Sequence, residues 1–437
     1  MKCIKSMITS IIYTMFIILS MNEVCYGQEE PSSDVTPMEK QELEALYSTI
    51  QGFVGDSWNG SSLYPDPCGW SPIQGVSCDI FNGFWPELFS LKYLKVLSFF
   101  NCFQSPNSLP VSIPTGNWEK LCENLETIEF RSNPGLIGSI PSSFGVLKNL
   151  ESMVLLENGL SGRIPLEIGK LVKLKRLVLS GNNFSGSVPD NFGGLRDLLI
   201  LDLSRNSLSG KLPSTFGNMI SILKIDVSHN FLEGMLINEF SSLKNLTLLD
   251  LRNNRFCCGL VSSLQEMYSL EELVLSNNPL GGDMRNLKWG NLKNLVILEL
   301  SNMELRGQIP ESLFELKKLR FLGLNDNNLT GEIQFSKGFF GKLGRRFGAW
   351  SNPKLCVPVA LMSSNNVPFG VKPCHQQQEV HLVKANARKQ ILNGDINMKN
   401  NTSNFIPSMG FSTSANSCFS SIFIIFGLLF NLCNLGV

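Results

Sequence analysis

Apolar residues recur through the middle of the chain in a fixed frame, Leu-x-x-Leu-x-Leu-x-x-Asn-x-Leu-x-Gly. The frame runs from Leu174 to Gly186, with Phe in its last apolar place, and returns in full from Leu198 to Gly210. The Leu-x-Leu alternation has the period of a β-strand, so it predicts a short strand with its leucines on one buried side. One such coil cannot bury its apolar side alone, so the repetition predicts stacked coils that share a core.

An asparagine closes nearly every frame. The step from one of these asparagines to the next is almost constant, and only the last step, from Asn278 to Asn327, spans two repeats. A side-chain amide carries a donor and an acceptor, so it can pair backbone groups that a sharp buried turn would leave without partners. We therefore expect a ladder that joins each turn to the next, formed by Asn133, Asn158, Asn182, Asn206, Asn230, Asn254, Asn278 and Asn327. Met303 stands at the missing position, and if it leaves a turn amide unsatisfied, we expect a more mobile coil at residues 301–305.

A glycine and an apolar-proline pair follow many of the asparagines, as in Gly210-Lys211-Leu212-Pro213. Glycine permits a tight backbone turn, and proline suits a sheet edge or a turn. The period and frame resemble the leucine-rich repeat, and the Leu-x-Gly-x-Ile-Pro motif resembles its plant-specific subclass. This resemblance implies an α/β repeat solenoid, a superhelix with a parallel β-sheet on the concave face and a second short strand before each convex helical turn. The motif decays at residues 235–238, 259–261 and 283–285, where we expect an irregular convex side.

Cysteine-containing segments flank about ten repeats, which span residues 86–335. In residues 28–85, Thr36-Pro37 followed by Glu39 has the form of a helix start, and a loop with two cysteines follows. Residues 336–374 contain Asn-Pro-Lys-Leu-Cys and end on a second cysteine. Both flanks resemble the terminal caps of plant extracellular leucine-rich repeat proteins. The resemblance implies two disulfide bonds, Cys68–Cys78 and Cys356–Cys374.

The first repeat lacks its strand half. Trp85 directly precedes Pro86, which begins a convex segment like the one that begins at Pro165. The N-terminal cap must then dock directly on that convex segment. The gap fits either a splice form or a difference within the family.

Four further cysteines have open pairings. Cys102 and Cys122 flank an insertion in the first repeat, across which a disulfide is plausible. Cys257 and Cys258 are adjacent, with Cys258 in the place of the repeat glycine. They fit two small buried or turn residues, a sterically awkward vicinal disulfide, or bonds to distant cysteines.

Both ends of the chain are apolar. Residues 1–27 have the basic start, apolar core and small final residue of a signal peptide, which predicts entry into the secretory pathway. Residues 375–415 are polar and predict a solvated stalk. The apolar tail, residues 416–437, resembles a GPI-anchor signal, and a single membrane span is the alternative. Either tail predicts the outer side of the plasma membrane.

Composition narrows the classes of function. Lys+Arg and Asp+Glu both number 37, so charge gives no reason to expect a nucleic acid partner. The sequence has no Gly-rich phosphate loop after a strand, no H-E-x-x-H and no G-x-S-x-G. Cys374-His375 and His381 favour a disulfide over zinc because histidines are few. We therefore expect no catalytic site, cofactor or metal.

What remains as a candidate site is the concave surface. Residues between the strand leucines point to that side, and a mixed set of charges there can bind a peptide or protein ligand. The candidate ligand-binding residues are Arg131, Glu157, Arg176, Asp202, Arg205, Asp226, His229, Asp250 and Arg252. The competing interpretation is that the aspartates only solvate the sheet or pair with neighbouring arginines.

Asparagine sequons add candidate modification sites. Two directly follow ladder positions, so a glycan there would shield one flank and leave other faces for partners. The six sequon asparagines are Asn59, Asn183, Asn245, Asn328, Asn400 and Asn401.

Taken over its length, the chain resembles plant extracellular leucine-rich repeat receptor-like proteins that have no kinase domain. The resemblance implies a non-enzymatic cell-surface protein that recognises a peptide or protein ligand and signals through a partner such as a co-receptor kinase. It further implies a role in the root response to a beneficial fungus or in defence. The alternative hypothesis is an extracellular inhibitor of pathogen cell-wall-degrading enzymes, similar to polygalacturonase inhibitors.

Overall fold

A computed structural model describes residues 40–54, 86–103, 110–359 and 370–374. Several sequence predictions lie outside these residues: the signal peptide, the helix start at Thr36, the Cys68–Cys78 loop, the stalk and the apolar tail. Within the described ranges, no helix is both long enough and apolar enough to cross a membrane.

Eleven parallel strands form one sheet along the concave face of the described repeats. Each strand pairs with its neighbours in register, as Ile225 does with Leu201 and Leu249. The strands are β1 (Val96–Phe100), β3 (Thr127–Arg131), β5 (Ser152–Leu156), β7 (Arg176–Val178), β9 (Ile200–Asp202), β11 (Lys224–Asp226), β13 (Leu248–Asp250), β15 (Glu272–Val274), β16 (Ile297–Glu299), β18 (Phe321–Gly323) and β20 (Phe347–Gly348). Ten of them belong to the predicted repeats, and β20 adds a strand from the C-terminal cap. The plant-type leucine-rich repeat solenoid is therefore confirmed.

The asparagine ladder joins successive coils by hydrogen bonds. Asn206 is 8% exposed, and its Nδ2 donates to the carbonyl of Leu179 in the preceding repeat at 2.9 Å and to Leu203 at 3.1 Å. Its Oδ1 accepts from the N–H of Phe184 at 3.0 Å. Asn352 extends this pattern into the C-terminal cap, where it accepts from Leu329 at 2.9 Å. Each amide thus pairs the buried turns of two coils, as its donor and acceptor groups allow.

A second, lateral set of strands runs beside the concave sheet and is interrupted once. Seven strands form its first part: β2 (Val111–Ser112), β4 (Leu136–Gly138), β6 (Gly159–Arg163), β8 (Asn183–Gly186), β10 (Ser207–Gly210), β12 (Phe231–Met235) and β14 (Arg255–Cys257). Four form its second part: β17 (Arg306–Gly307), β19 (Asn328–Glu332), β21 (Lys354–Val357) and β22 (Lys372–Pro373). The break falls in the repeat that follows Asn278.

Met303 and Pro279 explain this break. Pro279 has no N–H to donate to a neighbouring strand. Met303 has no side-chain amide to bond the backbone of the preceding coil. The N–H of Leu280 therefore turns to the carbonyl of Asn278 at 2.8 Å. Met303 is fully buried, and its own N–H donates to Asn327 Oδ1 at 3.0 Å. The N–H groups of Leu280 and Met303 therefore both have partners, and neither turn amide is left unsatisfied. The missing asparagine instead costs this repeat its lateral strand.

Short 3₁₀ helices form the convex side. They lie at Pro86–Ser90, Trp118–Lys120, Ser142–Val146, Leu166–Lys170, Asp190–Gly194, Ser214–Asn218, Asn238–Ser242, Ser262–Glu266, Met284–Asn286, Trp289–Asn291, Glu311–Glu315 and Gly344–Arg346. In the three central repeats, Phe192, Phe216 and Phe240 fill the space between these helices and the strands with no exposed surface. Burial of such a ring contributes about 1.5–3 kcal/mol. The irregularity expected at residues 283–285 is present as two short turns, whereas the turns after residues 235–238 and 259–261 are regular.

Caps lie at both ends of the described solenoid. Helix α1 (Lys40–Val54) contacts the 3₁₀ helix Pro86–Ser90, as direct docking on the convex segment requires. At the other end lies helix α2 (Lys337–Leu343), whose N-cap Ser336 accepts from the N–H of Phe339 at 3.2 Å. Cys356 and Cys374 form a disulfide beyond it.

The other described cysteines correct the sequence predictions. Cys102 and Cys122, both in the described part of the chain, are not joined by a disulfide. Cys102 is buried at the first ladder position, where its N–H donates to Asn133 Oδ1 at 2.7 Å, and the Cys122 thiol lies 3.7 Å from the Glu123 carboxylate. The sulfurs of Cys102 and Cys122 therefore lie in separate environments, one on each side of the insertion. Cys257 and Cys258 form a vicinal disulfide, the interpretation that steric reasoning favoured least.

Candidate binding surface on the concave sheet

Three aspartates form a column at the centre of the concave sheet. Asp202, Asp226 and Asp250 hold equivalent places on β9, β11 and β13 and pair in register. Neighbouring strands lie roughly 4.8 Å apart, so the carboxylates are stacked at about that spacing. We call these three residues the aspartate column.

Each carboxylate of the aspartate column is held by its own strand end. Asp202 Oδ1 accepts from the Ser204 N–H at 3.0 Å, and Asp226 Oδ1 accepts from the Ser228 N–H at 2.9 Å. Such short local bonds fix the carboxylates against the sheet. They also show that the aspartates partly do what the competing interpretation holds, because they solvate the ends of their own strands.

Burial and the charge of a neighbouring aspartate favour the neutral acid at two positions of the column, Asp226 and Asp250. Asp250 is only 6% exposed, and burial together with the charge of Asp226 raises its pKa to about 7. Burial and the charge of Asp202 raise the pKa of Asp226 as well. Further along the sheet, on β16, burial raises the pKa of Glu299. The charge of the concave face is therefore expected to change between acid and neutral pH.

The four candidate arginines divide into two pairs. Arg131 contacts the Glu129 carboxylate, and Arg252 Nε lies 3.1 Å from Asp250 Oδ2, so both are used within their own coils. Arg176 and Arg205 are exposed and take part in no ion pair within the described residues. A ligand can therefore reach both of them without breaking an ion pair.

A ladder of surface amides continues beside the arginines. Asn277 Nδ2 donates to Asn253 Oδ1 at 2.8 Å, and Asn302 Nδ2 donates to Asn277 Oδ1 at 2.9 Å. His229 Nε2 lies 3.1 Å from Asn253 Nδ2 and ends the row, with its pKa lowered by burial and by Arg252 and Arg205. This row was not predicted from the sequence, although an asparagine directly before the ladder position in these repeats is its signal.

Glu157, the remaining candidate, lies in an earlier repeat. Its carboxylate accepts from Ser132 Oγ at 3.3 Å, so it contacts the coil before its own. It therefore lies apart from the aspartate column and from the row of surface amides.

The last two concave strands, β18 and β20, each end in a glycine, Gly323 and Gly348. A Cβ on Gly323 would lie 2.1 Å from Glu299 Oε2, and a Cβ on Gly348 would lie 2.1 Å from Asn325 Oδ1. These glycines let the Glu299 and Asn325 side chains fold across the sheet. This arrangement could not be predicted from the sequence, because the repeat frame does not specify the residue between the strand leucines.

Three predicted glycosylation asparagines lie in the described ranges, and all three are exposed: Asn183, Asn245 and Asn328. Asn245 Nδ2 already donates to the carbonyl of Ile220 at 3.0 Å, so a glycan there would compete with a structural hydrogen bond. Asn59, Asn400 and Asn401 lie outside the described residues. Across the described ranges, no group of three or more His, Cys, Asp or Glu residues is placed to hold a metal ion.

The class of the protein follows from these features together. A leucine-rich repeat model matches residues 172–232, and a second leucine-rich repeat model matches residues 245–267. With its stacked parallel strands and asparagine ladder, the chain is a leucine-rich repeat protein of the plant type.

Individual relatives sharpen that class. Piriformospora indica-insensitive protein 2 from Arabidopsis thaliana is 50% identical over 175 residues, which cover 34% of this chain and 41% of that protein. The chain thus matches less than half the length of this relative. The solved ectodomain of the receptor kinase GASSHO1/SCHENGEN3 from Arabidopsis thaliana, in complex with CASPARIAN STRIP INTEGRITY FACTOR 2, has a TM-score of 0.57 and 29% identity, over 68% of this chain and 33% of that one.

A further solved structure points the same way. The plant peptide hormone receptor RGFR1 in complex with RGF2 has a TM-score of 0.51 and 26% identity, over 63% of this chain and 50% of that one. The resemblance to plant leucine-rich repeat receptor-like proteins is therefore confirmed.

Proposed function

We propose that this protein is a cell-surface recognition module that binds a peptide or protein ligand on its concave sheet. The observation that carries this proposal is the juxtaposition of the aspartate column with the exposed cations Arg176 and Arg205. A parallel sheet gives its exposed side chains a fixed spacing, so an extended segment can meet several of them at once. The solved complexes of related ectodomains, one of them a peptide hormone receptor with RGF2, support recognition of a peptide or protein ligand.

Charge complementarity suggests how such a ligand is oriented. An acidic side chain or terminal carboxylate would pair with Arg176 or Arg205, since neither forms an ion pair within the described residues. The amide row beginning at Asn253 offers donors and acceptors suited to backbone groups. Each such contact would be reinforced by its neighbours, because all of them sit on one rigid sheet.

Signalling would then depend on a second protein. We propose a co-receptor kinase as that partner, attachment to the outer side of the plasma membrane, and a role in the root response to a beneficial fungus or in defence. The 50% identity over 175 residues to Piriformospora indica-insensitive protein 2 supports the proposed role in a response to a fungus.

Site-directed photo-crosslinking tests the concave face directly. A benzoylphenylalanine placed at Ile200, which pairs in register with Arg176 on the concave sheet and leaves both arginines intact, is compared with one placed at Lys170, which is exposed on a convex 3₁₀ helix. Both variants are expressed in plant cells and irradiated, and the cross-linked proteins are identified by mass spectrometry. We expect partners captured from Ile200 and few from Lys170. Capture from Lys170 alone would place the partner on the convex side and overturn the proposal.

A further inference from the structure

Cys258 occupies a backbone position that the neighbouring repeats give to glycine. This position follows each ladder residue at a constant interval, and its glycines have φ between 78° and 93°. They are Gly162, Gly186, Gly210, Gly234, Gly282, Gly307 and Gly331. Cys258 has φ 77°, so it adopts the same left-handed backbone with a side chain attached. An L residue other than Asn or Asp is disfavoured there.

The residue in this disfavoured backbone conformation is also part of a disulfide. Cys258 is bonded to Cys257, the last residue of β14. One of the two cysteines is half-buried and both have solvent-accessible surface, so the disulfide is open to solvent on one side. Exposed disulfides are among the labile ones.

The disulfide also lies next to the break in the lateral set of strands. β14 is the last strand in the first part of the lateral sheet, and Met235 of β12 pairs with Cys257 in register. Immediately beyond it, the Gly259 N–H donates to the carbonyl of Leu280 at 2.7 Å, in the repeat that has lost its lateral strand. Any change in the backbone at Cys258 would therefore reach the contact that links the two repeats.

We propose that Cys257–Cys258 is a redox modification site, reduced by an extracellular dithiol. A thiolate of the dithiol attacks the Cys258 sulfur, which forms a mixed disulfide and releases Cys257 as a thiolate that takes up a proton. The second thiol of the dithiol then attacks the other dithiol sulfur, the one bonded to Cys258 in the mixed disulfide. The dithiol closes to its own disulfide, and Cys258 leaves as a thiolate that takes up the proton released by the second thiol. The protein disulfide gains two electrons and two protons, and the dithiol becomes a disulfide. This site is separate from the concave surface and does not depend on the ligand proposed for it.

Reduction has a structural consequence. The ring that ties the two adjacent residues opens, and Cys258 becomes an ordinary L residue held in a left-handed backbone. That conformation is disfavoured about tenfold or more for such a residue. We expect the end of β14 to fray, with amide hydrogen exchange at Gly259 about tenfold faster than in the oxidised protein.

The test begins with the native full-length protein treated with N-ethylmaleimide to block existing thiols. Samples are then exposed to graded dithiothreitol, trapped with isotopically heavy N-ethylmaleimide and digested with trypsin. The peptide spanning residues 256–285 should gain two heavy labels at least tenfold faster than the cysteines of the Cys356–Cys374 disulfide. That second bond serves as an internal reference, because strand pairing of β21 with β22 holds its ends together.

Two outcomes would overturn the proposal. One is that the peptide carries light label before any reductant is added, or is linked to another cysteine. The other is that both disulfides reduce together, and only when near-ultraviolet circular dichroism shows that the protein has unfolded.

A matched variant distinguishes the effect of reducing this disulfide from a general loss of structure in dithiothreitol. Cys258→Gly restores the residue that the other repeats use, so it should fold and retain one thiol at Cys257. Its hydrogen exchange at Gly259 should not respond to dithiothreitol, whereas the wild-type protein should respond. Phenylarsine oxide, which bridges adjacent thiols, should bind the reduced wild-type protein at this peptide and fail to bind Cys258→Gly. An equal response of the two proteins to dithiothreitol, or equal binding of the arsenical, would contradict the assignment.

Discussion

The buried carboxyl group of Asp250 should make the stability of the central repeats depend on pH. Its pKa is about 7 in the folded chain and roughly 3.9 in an unfolded chain. The folded state therefore holds a proton that the unfolded state has lost between these two pH values. The free energy of unfolding falls as pH rises across that window. The contribution is complete below about pH 4 and is lost as pH rises through about 7.

The size of the effect follows from the gap between the two pKa values. A gap of roughly three units corresponds to about 4 kcal/mol, at roughly 1.36 kcal/mol per unit. Asp226 lies next in the column and its pKa is raised too, so the two carboxyls share the effect. Replacement of one of them should recover about half, or roughly 2 kcal/mol. Loss of the half-exposed ion pair to Arg252 should subtract less than about 1 kcal/mol from that gain.

Asp250→Asn is the perturbation that tests this reasoning. The asparagine keeps an oxygen that can accept from the Arg252 N–H, now 3.1 Å from Asp250 Oδ1, and it is neutral at every pH. Urea unfolding from about pH 5 to about pH 8, with disulfides intact, should show the variant about 1–2 kcal/mol more stable than wild type at the upper pH and little changed at the lower one. Asp326→Asn, which removes a carboxylate from a later repeat, should leave the wild-type pH slope intact. If Asp250→Asn also keeps the wild-type slope, the Asp250 carboxyl is ionised at neutral pH and the argument is refuted.

Three further predictions concern the frame and the surface. Asn230→Ala should cost about 2–4 kcal/mol in urea unfolding because it leaves buried turn groups without partners. Asn277→Ala removes only exposed hydrogen bonds, and it should cost about 1 kcal/mol, mainly because alanine is disfavoured at φ 57°. Gly193→Ala should cost about 1–3 kcal/mol, since its Cβ would lie 2.4 Å from the Thr215 backbone oxygen, and a neutral result would show that the convex side can move. Intact mass before and after peptide N-glycosidase treatment, with peptide mapping, should show a glycan at the exposed Asn328, and an absent glycan there would contradict the exposure argument.

The repeat architecture could be predicted because its causes are local and periodic. Leucine spacing sets the strands, and one asparagine in each coil sets the turn, so Asn206 and Asn230 could be placed in the ladder without coordinates. β20 escaped prediction because Phe347 and Ala349 stand where leucines stand elsewhere. Asn352, which completes the ladder there, was assigned to the cap motif for the same reason.

The candidate site was predictable in position and less so in chemistry. Strand alternation placed Asp202, Asp226 and Asp250 on one face in register, as observed. The alternation does not say how deeply a carboxyl is buried or which arginine it meets. Those facts depend on contacts between coils, and they divided the arginines into two that are paired and two, Arg176 and Arg205, that are available to a ligand.

The departures from the repeat are concentrated in neighbouring coils, and this has a physical consequence. Cys258 replaces a glycine, Pro279 removes an N–H and Met303 removes a ladder amide, all within two successive steps of the solenoid. Each coil in a solenoid contacts only its neighbours, so local defects add within this segment and leave the rest intact. The concave strands β15 and β16 nevertheless pair in register across the same segment. The sheet that would meet a ligand is therefore continuous where the lateral side is interrupted, and a redox change at Cys257–Cys258 can alter the lateral side without dismantling the concave one.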